Sequence, residues 1–387
     1  MKEDFVFTSE SVTEGHPDKL CDLVADTILD RYLQEDSKTK LNVECAVATG
    51  IIFIAARFAS QANIDIPELA RQVIAQVGYD DPEFNPKTAT IMTKLTSIQP
   101  KEEGALTTVK DQVMAFGFAC KQTAAMIPLP IWLAHKLTRR LSSVRLQKII
   151  PYLLPDGKAQ VAIEYQQRKP VRIHSIVIVA ALRKSDELPS IEQIQHDISK
   201  HVIEPIFFDE PLRPDAQTKI FVNPEGPFFT GGPVIHSGLT GRKNAVDTYG
   251  EYARHASQAL SGKDPSRIDR IAAYAARHAA KNIVAAGLAE ECEVTLCYTI
   301  GDVHPSSIQV ETFGTGRISD GDLAQIAREI FDFSPDAIVN RFDLRNQPRR
   351  FKGGFYRKLS VYGHVGRMDI GLPWEAVDEM DALMAKV

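Results

Sequence analysis

Four short stretches of this 387-residue chain place an aspartate beside a lysine or arginine, near a glycine or the start of a helix. The first is "TSESVTEGHPDKLCD", Thr8 to Asp22, in which His16, Pro17, Asp18 and Lys19 run in order. Pro17 suits the first turn of a helix. A helix N-terminus presents free N–H groups and a partial positive charge, so it attracts anions, and His16 and Lys19 would add to that pull. Asp18 belongs in such a pocket if Mg2+ stands between carboxylate and phosphate. Otherwise it is a helix cap. The second stretch is "LPDGKAQ", with Asp156 and Lys158 in a turn entering a strand. The third, "GGPVIHSGLTGRKNAVDTYG", is glycine-rich and carries Arg242, Lys243 and Asp247. Glycine-rich backbone can aim several N–H groups at phosphate, and the Arg242 guanidinium is a planar fork for phosphate oxygens. The fourth is "SGKDPSRIDR", with Lys263, then Pro265 opening a helix, then Asp269. It is not a P-loop: Ser257 stands where that motif needs glycine, and Asp264 where it needs a hydroxyl. A polyphosphate held with a divalent metal accounts for all four stretches together.

The elements that must position these groups recur three times along the chain. "DKLCDLVADTILDRYLQE" puts Leu20, Leu23, Val24, Thr27 and Ile28 on one helical face. The strand-like runs "NVECAVAT" and "IIFIAARF", the helix "PELARQVIAQV" and the strand "TATIMTKL" follow it. The second unit has the helix "IWLAHKLTRRLSSVR", the strands "AQVAIEYQ" and "RIHSIVIVAAL" around the turn "QRKP", the helix "SIEQIQHDISKHVIEPI" and the strand "TKIFVN". The third has the helix "RIDRIAAYAARHAAKNIVAAGL", the strands "CEVTLCYTI" and "SSIQVETF", the helix "DLAQIAREIFDF" and the strand "AIVNRFDL". A hairpin with two helices buries one sheet face under one helix layer. The expected fold class is therefore α+β: three similar domains around a pseudo-threefold axis, with helices on one face of mixed or antiparallel sheets. Domains are expected at 3–98, 113–230 and 231–375, with strands free to swap between units. The polar, aperiodic run 99–112 reads as a mobile loop.

Bulk properties exclude several other classes. A net charge of −5 gives no electrostatic case for nucleic acid. Five cysteines, odd in number and without a CxxC pair, point to a reducing compartment and to no zinc site of the usual spacing. No apolar run is long enough for a membrane helix, and "MKEDFVF" does not read as a signal peptide. A cytoplasmic protein is expected.

The stretches "FTSESVTEGHPDK", "DGKAQV", "GGP…GLTGRK…VDTYG", "SGKDPS…DR…AAYAAR" and "KNIVAAGLA" resemble the S-adenosylmethionine synthetases, or methionine adenosyltransferases, over nearly the whole chain. The resemblance implies that the sulfur of methionine attacks C5′ of ATP and expels triphosphate, which is then hydrolysed to pyrophosphate and phosphate. It implies Mg2+ at Asp18 and Asp269 and K+ at Glu44. It implies triphosphate contacts from His16, Lys158, Arg242, Lys243 and Lys263, and nucleotide contacts from Asp156, Phe228 and Ala259. It also implies a dimer or dimer of dimers, with active sites between subunits.

The departures from the family pattern fall on one side of that site. "AAR" with Arg57 replaces "GGE", whose glutamate meets the methionine ammonium. His236 replaces an aspartate before "GLTGRK". "GAGDQG" becomes "VKDQVM", keeping Asp111 and Gln112 without the glycines. "HGGGAFSGKD" becomes "HASQALSGKD", Arg267 replaces a lysine, and Pro227 an arginine. With Gln99, the residues Arg57, Asp111, His236 and Arg267 form an altered substrate side. A positive group beside the methionine ammonium costs energy. The expected function is S-adenosylmethionine synthesis by a divergent subunit completed by an intact paralogue. Two alternatives are a homo-oligomeric transferase for a different thioether and a non-catalytic binder of ATP or tripolyphosphate.

Overall fold

The computed structural model describes residues 4–99, 107–185, 188–229 and 231–387. Its first unit runs β1 (Phe5–Val12), α1 (Pro17–Glu35), β2 (Lys40–Ala48), β3 (Ile51–Ala59), α2 (Ile66–Val77) and β4 (Thr90–Ser97). The second runs β5 (Val113–Cys120), α3 (Leu129–Leu146), β6 (Leu153–Gln166), β7 (Lys169–Leu182), α4 (Ile191–Ile198) and β8 (Lys219–Val222). The third runs β9 (Gly238–Leu239), α5 (Ile268–Ala285), β10 (Glu291–Tyr298), β11 (Ser307–Glu311), α6 (Asp320–Ile330) and α7 (Pro335–Arg341). Short helical turns lie between them.

Each unit gives its first strand to the sheet of the next, cyclically. β1 joins the central hairpin in the order β1-β6-β7-β8, β5 joins the third hairpin as β11-β10-β5, and β9 joins the first as β4-β3-β2-β9. The borrowed strand always pairs antiparallel with the first strand of the hairpin. In the first two sheets the second hairpin strand pairs parallel with the strand that follows the crossover helix. This cyclic exchange is the pseudo-threefold relation, and the sheets are mixed or antiparallel as expected. Neither β1 nor β5 belongs to the helix-hairpin-helix-strand pattern, because their partners lie far away in sequence.

Local chemistry explains the turns and ends. Gln167 and Arg168 both take positive φ, 47° and 62°, in the two-residue turn between β6 and β7, as a turn that follows strand twist requires. Asp65 caps α2 by accepting from the Glu68 amide, and Gly78 ends it in the left-handed region. One expected strand is a helix: "AIVNRFDL" falls largely in α7. Ser334 precedes Pro335 in extended backbone, which is a helix start, and Ile338 and Phe342 are buried four apart rather than on alternate residues. The third sheet therefore has three strands.

The first and third units share one apolar core, while α3, α4 and the β6–β7 hairpin enclose a second. Residues 100–106 of the expected mobile loop lie outside the described residues. Val109 within it is buried, donating its amide to Asp302 O (2.8 Å) and accepting from Gly301 N (3.0 Å).

Candidate active site

Helix α1 is the frame of the site. Asp18, Asp22, Asp26 and Asp30 recur every four residues on one face, and all four are buried. Each holds backbone from the third unit, more than 200 residues away. Asp18 accepts from Leu239 N (3.0 Å), Asp22 from Gly241 N (2.8 Å) and Asp26 from Gly262 N (2.8 Å). Asp30 accepts from Tyr356 N and Arg357 N (both 2.9 Å). The two basic loops are thus fastened along one helix. Gly241, at φ +76°, packs so closely on Ala259 that a Cβ would overlap it, and at Gly262, φ +79°, a Cβ would strike Val43 O. This carboxylate ladder is legible in "DKLCDLVADTILD" as aspartate at every fourth position. Attention to the apolar face alone misses it.

The first cluster lies at the N-terminus of α1. His16 is the N-cap, its Nδ1 accepting from Asp18 N at 3.2 Å. Asp18 is therefore not the cap. Besides Leu239 N, its Oδ1 meets Arg242 Nε at 2.7 Å. Burial, then Lys243, Lys19 and Lys158, push the His16 pKa down to about 3, so His16 is a neutral hydrogen-bonding group here and not a cation. Lys19 also differs from expectation. It is fully buried, paired with Asp22 (2.9 Å) and Asp247, and holds the frame instead of facing a ligand. The cations that do face a cleft are Arg242 and Lys243, with the half-exposed Lys158 held near them through Glu10. Glu10 on β1 pairs with Lys158 and, at 2.7 Å, with Lys243. Burial alone would raise the Glu10 carboxyl, but the two lysines outweigh it and hold it below the usual range. Sequence reasoning missed Glu10 because it missed β1. The cleft that Glu10, Arg242 and Lys243 share with Thr8 and Gln160 encloses about 660 Å³. Beside it, Asp156 accepts from Gly232 N at 2.7 Å, and burial raises its carboxyl to about 6. The exposed His236 ring lies 6.4 Å from that of Phe228.

The second cluster surrounds the first turn of α5. Asp269 is 3% exposed, and neither of its oxygens accepts a hydrogen bond from the described residues. Its neighbours are cationic: Lys263 Nζ at 3.2 Å and Arg267 Nε at 3.9 Å. Arg267 also reaches Asp111 at 3.7 Å. Lys263 bridges to Asn42 on β2, and Arg57 pairs with Asn42 across β2 and β3. Glu44 is exposed two residues further along β2, with Asn42 Nδ2 at 3.4 Å. Gln99 is exposed just beyond β4.

Asp18 and Asp269 have no common neighbour among these contacts. Arg57 and His236 are likewise divided, one in each cluster. A buried carboxylate without donors, beside a lysine, fits a divalent ion that draws its other ligands from phosphate and water, the habit of Mg2+. The residues around Glu44 do not by themselves form a potassium cage. Among the described residues no three His, Cys, Asp or Glu side chains gather as a metal site.

Three family models match the chain in succession: the S-adenosylmethionine synthetase N-terminal domain over residues 4–100, the central domain over 106–228 and the C-terminal domain over 230–376. Full-length relatives agree with them. The S-adenosylmethionine synthase of Gloeobacter violaceus is 45% identical, covering 98% of this chain and 97% of its own. That of Trichormus variabilis is 43% identical, covering 100% and 98%. The chain belongs to the S-adenosylmethionine synthetase family. Among the described residues no helix is long and apolar enough to cross a membrane.

Proposed function

We propose that this chain makes S-adenosylmethionine from ATP and methionine, at sites completed between two chains, and that an intact family paralogue supplies the other half. The observation that carries the reading is the division of phosphate-type groups into two clusters that share no contact among the described residues. The open face of the first sheet supports pairing. Ile51, Phe53, Met92 and Leu239 are each more than 40% exposed there, beside Arg57 and Glu44, an apolar patch of the kind that marks an interface.

In such a site the sulfur lone pair forms the bond to C5′ as the C5′–O5′ pair leaves with triphosphate. The thioether carries no proton to remove, so the work is positioning and charge stabilisation. Lys158, Arg242 and Lys243 bind phosphate oxygens from one chain, and Lys263 from the other. Neutral His16, its Nδ1 occupied by its own helix, donates from Nε2. Asp156 and Phe228 orient the nucleoside. Mg2+, held by Asp269 and Asp18, would neutralise charge on the leaving group. Asp18→Asn should therefore weaken Mg2+-dependent tripolyphosphate binding without unfolding the protein.

Arg57 and His236 favour the mixed assembly over a homodimer. Two copies of this chain would surround the methionine ammonium with positive or neutral groups, whereas a paralogue brings its own carboxylates. Activity of this chain alone, of the paralogue alone and of the mixture decides the matter. Turnover should appear or rise on mixing and fall with Lys158→Ala in this chain. Brisk synthesis from methionine by this chain alone, at high purity, would refute the need for a partner.

A further inference from the structure

A second groove, sharing no lining residue with the catalytic cleft, runs between α3 and residues 362–369. It encloses about 440 Å³, a volume typical of small-molecule sites. Its apolar wall includes Trp132, Val365 and the exposed Met368.

Its charges do not balance. Asp369 serves two guanidinium groups: Arg367, through Nε at 2.8 Å and Nη2 at 2.9 Å, and Arg139, through Nη1 at 3.2 Å. Arg140 spends Nε on the His201 carbonyl at 2.8 Å and has no carboxylate partner among the described residues. Lys136 is matched by Glu210. Arg139, Arg140 and Arg367 thus face one carboxylate, leaving two positive charges unanswered. The strain registers at Arg139, whose pKa is lowered by burial and then by Arg367. Arg139 is also presented for binding, its guanidinium lying 5.1 Å over the Tyr362 ring. An adjoining cavity of about 490 Å³ shares Arg139, Tyr362 and Arg367 and adds Arg357 and Lys358. Its one acid, Glu14, is taken by Arg145 at 2.8 Å.

We propose that this groove binds a small amphipathic anion, its apolar body against Trp132, Val365 and Met368 and its phosphate, sulfonate or carboxylate head on Arg139 and Arg140. Arginine forks suit such heads, and the half-closed wall strengthens the contact.

Two probes test this on the purified protein in its native assembly: the fluorescent aromatic sulfonate 1-anilinonaphthalene-8-sulfonate and the competitor 1-naphthyl phosphate. The sulfonate should titrate to one saturable site per chain. Naphthyl phosphate should displace it, and uncharged 1-naphthol should do so at least tenfold less well. Saturating Mg2+-tripolyphosphate, which fills the catalytic cleft, should leave it in place. Arg139→Gln and Arg140→Gln should each weaken binding about tenfold (the loss of one charge-assisted contact) with the melting temperature unchanged. If either variant melts lower, Met368→Glu, at a position 66% exposed, places a carboxylate in the apolar wall and should abolish binding without touching the core. Displacement by Mg2+-tripolyphosphate, equal competition by naphthol, unsaturable binding or indifference to all three variants would each overturn the assignment.

Discussion

The same substitution, aspartate to asparagine, should have very unequal effects on stability at two buried positions. Asp26 accepts from Gly262 N (2.8 Å), from Arg270 Nη1 and Nη2 (2.8 and 2.9 Å) and from Ser360 Oγ (3.0 Å). Arg270 is itself fully buried. Asp26→Asn would leave that guanidinium without its counterion, a loss of about 3–5 kcal/mol, set against a total stability of roughly 5–15 kcal/mol. Asp269 is equally buried but accepts no hydrogen bond from the described residues. A buried acceptor without donors costs about 1–3 kcal/mol, and more if charged. Attraction to Lys263, whose side chain is 13% exposed and 3.2 Å away, and to the N-terminus of α5 returns about 1–3 kcal/mol. Neutralising Asp269 should therefore change stability without metal by at most about 2 kcal/mol, well short of the loss at Asp26. Urea unfolding without Mg2+, at one fixed protein concentration, gives both numbers. Calorimetric titration with tripolyphosphate in Mg2+ should show Asp269→Asn losing most of its metal-dependent affinity. Should Asp269→Asn destabilise the chain as much as Asp26→Asn, Asp269 has a structural partner and the metal assignment loses its support.

Two further outcomes follow from the site's charges. Burial raises the Asp30 carboxyl to about 7, so between about pH 4 and 7 the folded chain holds a proton that the unfolded chain lacks. Its contribution is complete below pH 4 and lost as pH rises through 7; the stability of Asp30→Asn relative to wild type should therefore climb from pH 5 to 8 in urea melts. Glu10 competes with phosphate for Lys158 and Lys243, so Glu10→Gln should tighten Mg2+-free tripolyphosphate binding several-fold at low salt, an increase that added salt erases.

Sequence periodicity locates the hairpins and the helices flanking them because those signals are local. Alternation marks a half-buried strand, and Asp65 and Gly78 mark the ends of α2. The four basic stretches are legible for the same reason, each being a short run of unusual chemistry. The strand exchange is not legible, since nothing near Phe5–Val12 names β6 as its partner. "AIVNRFDL" misleads because a short apolar run suits strand and helix alike, and Ser334-Pro335 is the signal that decides it. Lys19 misleads because a charged side chain beside a phosphate motif looks like a ligand contact until Asp247, 228 residues away, proves to be its partner.

Retention of the phosphate groups alone is weaker evidence of catalysis than it first looks. Arg242 neutralises Asp18, which is 2% exposed, and Lys158 and Lys243 neutralise Glu10. Removing any of these cations would strand a carboxylate, so folding has its own reason to keep them. Arg57 has no ion pair among the described residues, and His236 is exposed. Substitution there disturbs no buried partner, and divergence at both positions is cheap for the fold. Asp269 breaks the pattern. It is buried, and beside the cations Lys263 at 3.2 Å and Arg267 at 3.9 Å its oxygens accept from no backbone, hydroxyl or amide donor among the described residues. Its pair with Lys263 is a weaker reason for folding to keep it than the donor sets of the other buried carboxylates, and the proposed divalent ion with its phosphate would supply the partners it lacks.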